Sequence, residues 1–106
     1  MQKGDIVIIP FPFTDLSGSK LRPSVVLFTD KRDVTISFIT SQLKWKDEFD
    51  IEVFPNNENG LKIHSIIRLT KIATIDKDLV LGKLGSLNTN EISEINKNLK
   101  SILKLN

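Results

Sequence analysis

The 106-residue sequence predicts a mainly β domain, a small barrel or sheet carrying a C-terminal amphipathic helix. Short β-branched and apolar runs recur between residues 5 and 84, each bounded by proline, glycine or charged turn residues. None of these runs has helical length. Beyond residue 84 the pattern changes to apolar residues three and four apart, opened by a capping signal at Asn88.

Residues 5–10, Asp-Ile-Val-Ile-Ile-Pro, make the first strand, opened from a turn by Gly4 and Asp5 and stopped by Pro10. Residues 11–21 follow as a loop. Its phenylalanines, Phe11 and Phe13, either plug the core or wall a groove, and core plugging is the ordinary role of such aromatics. Gly18, between Ser17 and Ser19, permits turn conformations closed to bulkier residues, while Pro23 biases Arg22 toward extended geometry. Residues 24–28, Ser-Val-Val-Leu-Phe, form the second strand, with Arg22 at its mouth. A planar, permanently charged fork on a rigid element suits a phosphate, although a solvated arginine beginning a strand has the same spacing.

A charged turn at 29–33 leads to residues 34–40, Val-Thr-Ile-Ser-Phe-Ile-Thr, an alternating strand that the short connection makes a hairpin with the second. Thr40, Ser41 and Gln42 present two hydroxyls and an amide where it ends. The loop at 43–47 sets the only tryptophan, Trp45, between Lys44 and Lys46, which can grip a backbone and stack a base or cover a core edge. Residues 49–54 alternate as a fourth strand, and 55–60, Pro-Asn-Asn-Glu-Asn-Gly, break the chain. Strand character returns at 65–69 and 71–75, Asp76 caps a helical turn, and 79–84 is a last short apolar segment. In the helix, Asn88 caps, Glu91 reciprocates, and Leu87 with Ile92 forms a staple. Ile92, Ile95, Leu99, Ile102 and Leu103 then make a stripe opposite Glu94, Lys97, Lys100 and Lys104. With no repeat, linker or low-complexity tract, residues 1–106 read as one domain.

A hydrophobic content of 40% supports one modest core and leaves surface that pairing with a second copy would bury. The absence of cysteine excludes disulfides, a thiolate nucleophile and cysteine-based zinc sites. One histidine and scattered carboxylates give no metal-ligand spacing, so no metal or other cofactor is expected. Neither a membrane-length apolar window nor a signal-peptide core occurs, and a cytoplasmic protein away from membranes is expected. The net charge of +2 is only mildly basic. Lys20, Arg22, Lys31, Arg32, Lys44 and Lys46 nevertheless fall in the first half, and form a polyanion site if folding gathers them on one face.

Five stretches, taken in order, resemble the MazF/PemK family of toxin–antitoxin systems: Gly4-Asp5-Ile6-Val7, Pro10-Phe11-Pro12-Phe13-Thr14-Asp15, Leu21-Arg22-Pro23-Ser24-Val25-Val26-Leu27, Ile39-Thr40-Ser41-Gln42 and Ile72-Ala73-Thr74-Ile75-Asp76-Lys77. The resemblance implies an SH3-like β-barrel with a C-terminal helix, a homodimer, and metal-independent cleavage of single-stranded RNA such as mRNA at short sequences. It also implies a cognate antitoxin that blocks the groove. Carried over by motif, the family's catalytic arginine falls on Arg22 and its catalytic hydroxyl on Thr40. Some members pair an arginine with an acidic residue two positions later; here those positions are Arg68 and Thr70, so the carboxylate is missing.

Metal-free cleavage needs a deprotonated 2′-hydroxyl, charge balance on a pentacoordinate phosphorane and a proton for the leaving 5′-oxygen, and leaves 2′,3′-cyclic phosphate and 5′-hydroxyl ends. Arg22 and Thr40 answer the second need. Neither is a base at neutral pH. His64 has the right unperturbed pKa but lies on the approach to a strand, and Asp15 and Asp47 qualify if their loops fold over the groove. Phe13, Ser19, Gln42 and Trp45 are candidates for base choice, with Lys20, Ser41, Lys44 and Lys46 as further RNA contacts. The alternative is a non-catalytic module on the same barrel that inhibits a protein such as a DNA topoisomerase, as CcdB-type toxins do. The C-terminal Leu103-Lys104-Leu105-Asn106 lacks the tryptophan expected of that group.

Overall fold

The computed structural model describes residues 1–11 and 20–105. Six strands, β1 (Asp5–Phe11), β2 (Lys20–Thr29), β3 (Asp33–Thr40), β4 (Ile51–Val53), β5 (Ser65–Asp76) and β6 (Gly82–Ser86), precede one helix, α1 (Thr89–Ile102). They form a single curled antiparallel sheet in the order β4-β5-β3-β2-β1-β6. The strand sequences read as nearly continuous apolar runs because both faces of the sheet are covered. Ile6 and Val25 point into one core with Ile39, Ile67, Leu69 and Ile95 of the helix, while their neighbours Val7 and Val26 join Ile9, Val34, Ile36 and Ile75 in a second.

The helix begins as its sequence predicts. Asn88 Oδ1 accepts from Glu91 N at 2.8 Å and Glu91 Oε1 from Asn88 N at 2.9 Å. Ile92, Leu99 and Ile102 pack beside buried Ile95 on the first core. Leu103, expected on the same stripe, is instead the C-cap and is exposed.

The outer strands β4 and β6 lie at opposite ends of the sheet, and loop 54–61 joins them. Ser86 N donates to Glu58 O at 2.8 Å. Asn59 is fully buried; its Nδ2 donates to Phe54 O at 2.9 Å and its Oδ1 accepts from Leu61 N at 3.0 Å. Two glycines make the close approach possible. A Cβ on Gly60, whose φ is +71°, would stand 2.2 Å from Leu84 O, and one on Gly85 would stand 2.2 Å from Glu58 O. The curl is therefore closed by a loop rather than a strand ladder, which also covers the β6 edge.

Several boundaries depart from the sequence expectation. Pro10 does not stop β1, and β2 starts at Lys20, so Arg22 stands inside a strand rather than at its mouth. Each proline is tolerated because its strand has one neighbour there: β1 pairs with β6 only from Asp5 to Ile8, and β2 pairs with β3 only from Ser24 onward. The two segments expected at 65–69 and 71–75 are one strand. Opposite the adjacent Ser37 and Phe38 its partners jump from Ile72 to Arg68, so Leu69, Thr70 and Lys71 form a bulge, and buried Ser37 Oγ donates to Arg68 O at 2.7 Å. The fourth strand is shorter than 49–54, because Asp50 N bonds back to Asp47 O at 3.1 Å in a turn. The segment expected at 79–84 becomes a 3₁₀ turn, Lys77–Leu79, capped by Asp76 through Asp78 N at 2.8 Å, and then β6.

Candidate functional site

Antiparallel pairing brings Arg22 and Thr40 to the same place. The β2–β3 ladder ends at the pair Ser24 and Phe38, and two residues further along each strand stand Arg22 and Thr40. Pro23 supplies no N–H with which to extend that ladder, so the strands part into open surface there. Two clefts lie against this ridge and share Arg22, Ile39 and Thr40. The larger, about 520 Å³, adds Phe11, Phe38, Gln42, Trp45, Arg68 and Lys71. The smaller, about 260 Å³, adds Leu21, Ser41, Lys62, Ile63 and Leu84, with Gly60 and Leu61 of the closing loop in its wall.

The larger cleft is aromatic. Phe11 and Phe38 meet edge to face, centroids 5.5 Å apart, and Trp45 stands half-exposed on a 3₁₀ turn, Leu43–Trp45, held by Trp45 N donating to Gln42 O at 3.1 Å. Thr40 is oriented by the same turn: its Oγ1 accepts from Gln42 N at 3.1 Å, which leaves its own proton for an acceptor in the cleft. Arg22 is exposed and, among the described residues, has no carboxylate partner. No described carboxylate or imidazole lines either cleft. Both therefore favour an anion, and the larger offers flat apolar surface beside it.

Arg68 enters the larger cleft from β5 with its charge already countered. Its Nε lies 2.8 Å from Asp50 Oδ2 without an aligned hydrogen bond, and its Nη2 lies 3.8 Å from Asp47 Oδ2. The carboxylates that face Arg68 thus come from the 47–50 turn, while Thr70, two positions after it, has none. His64 lines neither cleft; its ring stacks on Phe54 at 4.1 Å and its Nε2 lies 3.0 Å from Glu52 Oε2. Lys46 reaches the same Glu52 at 3.7 Å, and Lys20 and Lys44 are exposed outside both cleft linings. Gln42 and Trp45 line the larger cleft and Ser41 the smaller. Phe13, Asp15 and Ser19 lie outside the described residues.

Phe38, Lys62 and Lys71 are cleft residues that sequence reasoning passed over. The signal for Lys71 was present in the interruption at Thr70, which marks the bulge that turns it out of the ladder. Lys62 carried no such signal, since only the fold of loop 54–61 brings it beside Arg22. Among the described residues no three histidine, cysteine, aspartate or glutamate side chains cluster as metal ligands, and no helix is long and apolar enough to cross a membrane.

Residues 2–103 match the family model of the PemK-like, MazF-like toxin of type II toxin–antitoxin systems. In fold the chain is similar to a mycobacterial endoribonuclease solved in complex with its cognate antitoxin, with a TM-score of 0.79 and 16% identity over 100% of this chain and 97% of that one. It is similar also to the Mycobacterium tuberculosis toxin MazF-mt6, with a TM-score of 0.77 and 19% identity over 96% and 98%. MazF of Deinococcus radiodurans gives 0.74 and 18% over 99% and 97%. At these identities the likeness is one of fold. No curated protein sequence matches.

Proposed function

The chain belongs to the PemK-like, MazF-like toxins of type II toxin–antitoxin systems, and from that premise we propose that it is a metal-independent endoribonuclease that cuts single-stranded RNA on the ridge formed by Arg22 and Thr40. The observation that carries this reading is the convergence of those two side chains on both clefts. The scissile phosphate sits on the ridge, and its flanking nucleotides lie to either side. On the larger side Trp45, Phe11 and Phe38 offer stacking surface to a base, which a single strand presents unpaired and a duplex does not.

In the reaction the 2′-hydroxyl gives up its proton and its oxygen forms a bond to phosphorus, the P–O5′ bond breaks and O5′ takes up a proton, and the RNA is left with a 2′,3′-cyclic phosphate and a 5′-hydroxyl. Charge accumulates on the non-bridging oxygens. The Arg22 fork pairs with them, and Thr40, whose oxygen is occupied by the Gln42 amide, donates its proton to one of them. These residues stabilise the phosphorane; they do not abstract the 2′-proton. Each preorganised donor of this kind lowers the barrier by about 2.7–4 kcal/mol, or a hundred- to a thousand-fold in rate.

The mycobacterial neighbour was solved with its cognate antitoxin, and we assign this chain a cognate antitoxin whose acidic, extended segment covers the cationic ridge. Exposed apolar side chains such as Phe28 and Phe54 support a homodimer, and the cytoplasm is where mRNA would be met.

The test incubates purified protein with a long unstructured RNA in EDTA and maps the cut ends. Wild type should cut at a recurring short sequence, with Arg22→Ala and Thr40→Ala each slower by about a hundred- to a thousand-fold. Unchanged cutting in both variants would move the active site elsewhere, and loss of wild-type cutting in EDTA would refute metal independence.

A further inference from the structure

We propose that the Arg68–Asp50 ion pair anchors the Trp45-bearing segment 41–50 over the aromatic cleft, so that Arg68 is a positioning residue for RNA binding and not a second phosphate ligand. This rests on the reading of that cleft as the RNA site.

The segment leaves β3 after Thr40, carries Gln42 and Trp45 into the cleft, and rejoins the sheet at β4. Its returning end is tied down three ways. Asp50 Oδ2 meets Arg68 Nε at 2.8 Å and also accepts from Asp47 N at 2.9 Å, so one fully buried carboxylate both closes the turn and joins it to β5. Asn98 Nδ2 of the helix donates to Phe49 O at 3.0 Å. Arg68 in turn is pinned where the bulge begins, its carbonyl held by Ser37. One tether runs from β3 through β5 to the loop, and a second joins the helix to the loop directly.

Charge and geometry both argue against a phosphate role. One guanidinium faces two carboxylates, Asp50 and Asp47, which leaves little positive potential for a third anion. Nor does the pair carry the hydrogen bonds that would repay its burial: it is desolvated, its Nε makes no aligned hydrogen bond, and among the described residues buried Asp50 Oδ1 has no hydrogen-bond partner. Pairs of that kind are often no more stable than apolar residues of the same volume, and in some proteins what they supply instead is the choice of one arrangement. The arrangement fixed here is that of Trp45.

Trp45 is the only tryptophan, so its emission in the intact chain reports the segment directly. Asp50→Asn, Arg68→Gln and the double variant are compared with wild type by iodide quenching of Trp45, by urea unfolding, and by cleavage of an unstructured RNA oligonucleotide. Each single variant should quench more readily and raise KM about tenfold, the value of one displaced base–aromatic stack, with kcat within about threefold. The double variant should regain stability while quenching and KM stay raised. A hundred-fold fall in kcat at unchanged KM would make Arg68 catalytic and overturn the proposal. So would unaltered quenching in the singles, or a double variant whose quenching and KM recover together with its stability. If the wild-type chain cuts no RNA, it is the nuclease reading that fails, and the quenching series still decides the anchor.

Discussion

Arg22 and Arg68 both line the aromatic cleft, yet Arg22 is exposed with no carboxylate partner among the described residues, whereas Arg68 is mostly buried between Asp50 and Asp47. The side chains are identical and the backbone of both is extended. What separates them, among the described residues, is counter-charge: a guanidinium whose field is cancelled locally is committed to structure, and one whose field is open is available to an anion. Counting basic residues around a groove therefore overstates its affinity for phosphate. Lys46, drawn onto Glu52, makes the same point at the surface.

The comparison breaks most readily if the two arginines are truncated in parallel and unfolding is followed in urea. Arg68→Ala leaves the buried Asp50 carboxylate without counter-charge and should cost about 3–5 kcal/mol, a large part of the stability of a domain this size. Arg22→Ala should change stability by no more than about 0.5 kcal/mol while removing cleavage. Equal losses of stability would mean that Arg22 is also structural, and the distinction would collapse.

A smaller effect separates the two sides of the ridge. Gly85→Ala drives a Cβ against Glu58 O in the closing loop, whose Gly60 and Leu61, with Lys62 and Ile63 beyond them, wall the smaller cleft across the ridge from Trp45. It should cost about 1–3 kcal/mol by overpacking, yet leave the iodide quenching of Trp45 as in wild type. Gly82→Ala, with nothing within 4 Å of the added carbon, should be neutral within about 0.5 kcal/mol. Quenching altered by Gly85→Ala would show that the two clefts move as one body.

How much of this could be read from the chain depended on whether the cause was local. The capping box at Asn88, the Asp76 cap and the alternating run of β3 were legible because each rests on residues a few positions apart. Arg22 and Thr40 were named as candidates from their chemistry at strand ends and again by motif resemblance, but their proximity comes from hairpin register. The extension of β1 and β2 through their prolines was not, because tolerance of Pro10 and Pro23 depends on how many neighbours a strand has at one point along its length. The Asp50–Arg68 contact was hidden for a similar reason: a search for a carboxylate two positions after the arginine cannot see one delivered by another segment. Loop 54–61 read as a break, and its work in closing the sheet appears only once Gly60 and Gly85 are set against their partners.

The smallest predicted effect sharpens the contrast between the two buried aspartates that face cations. Asp50 shares its arginine with Asp47 and, among the described residues, leaves one oxygen without a hydrogen-bond partner. Asp5 is better provided: Oδ2 accepts from Gln2 N at 2.9 Å, and Oδ1 accepts from Ser86 Oγ at 3.2 Å and lies 3.4 Å from Lys83 Nζ. Burial alone would push its carboxyl up, but the hydrogen bonds from Gln2, Ser86 and Lys83, with the lysine's charge, outweigh that and hold it below the ordinary aspartate value. A depressed folded-state pKa adds stability that is present above the unfolded value of about 3.9 and is lost as pH falls through the folded one. Asp5→Asn should therefore be less stable than wild type at pH 7, with the gap in melting temperature narrowing steadily below pH 4. A gap that stays constant from pH 7 to pH 3 would show that Asp5 contributes shape to the β1–β6 pair and no titrating charge.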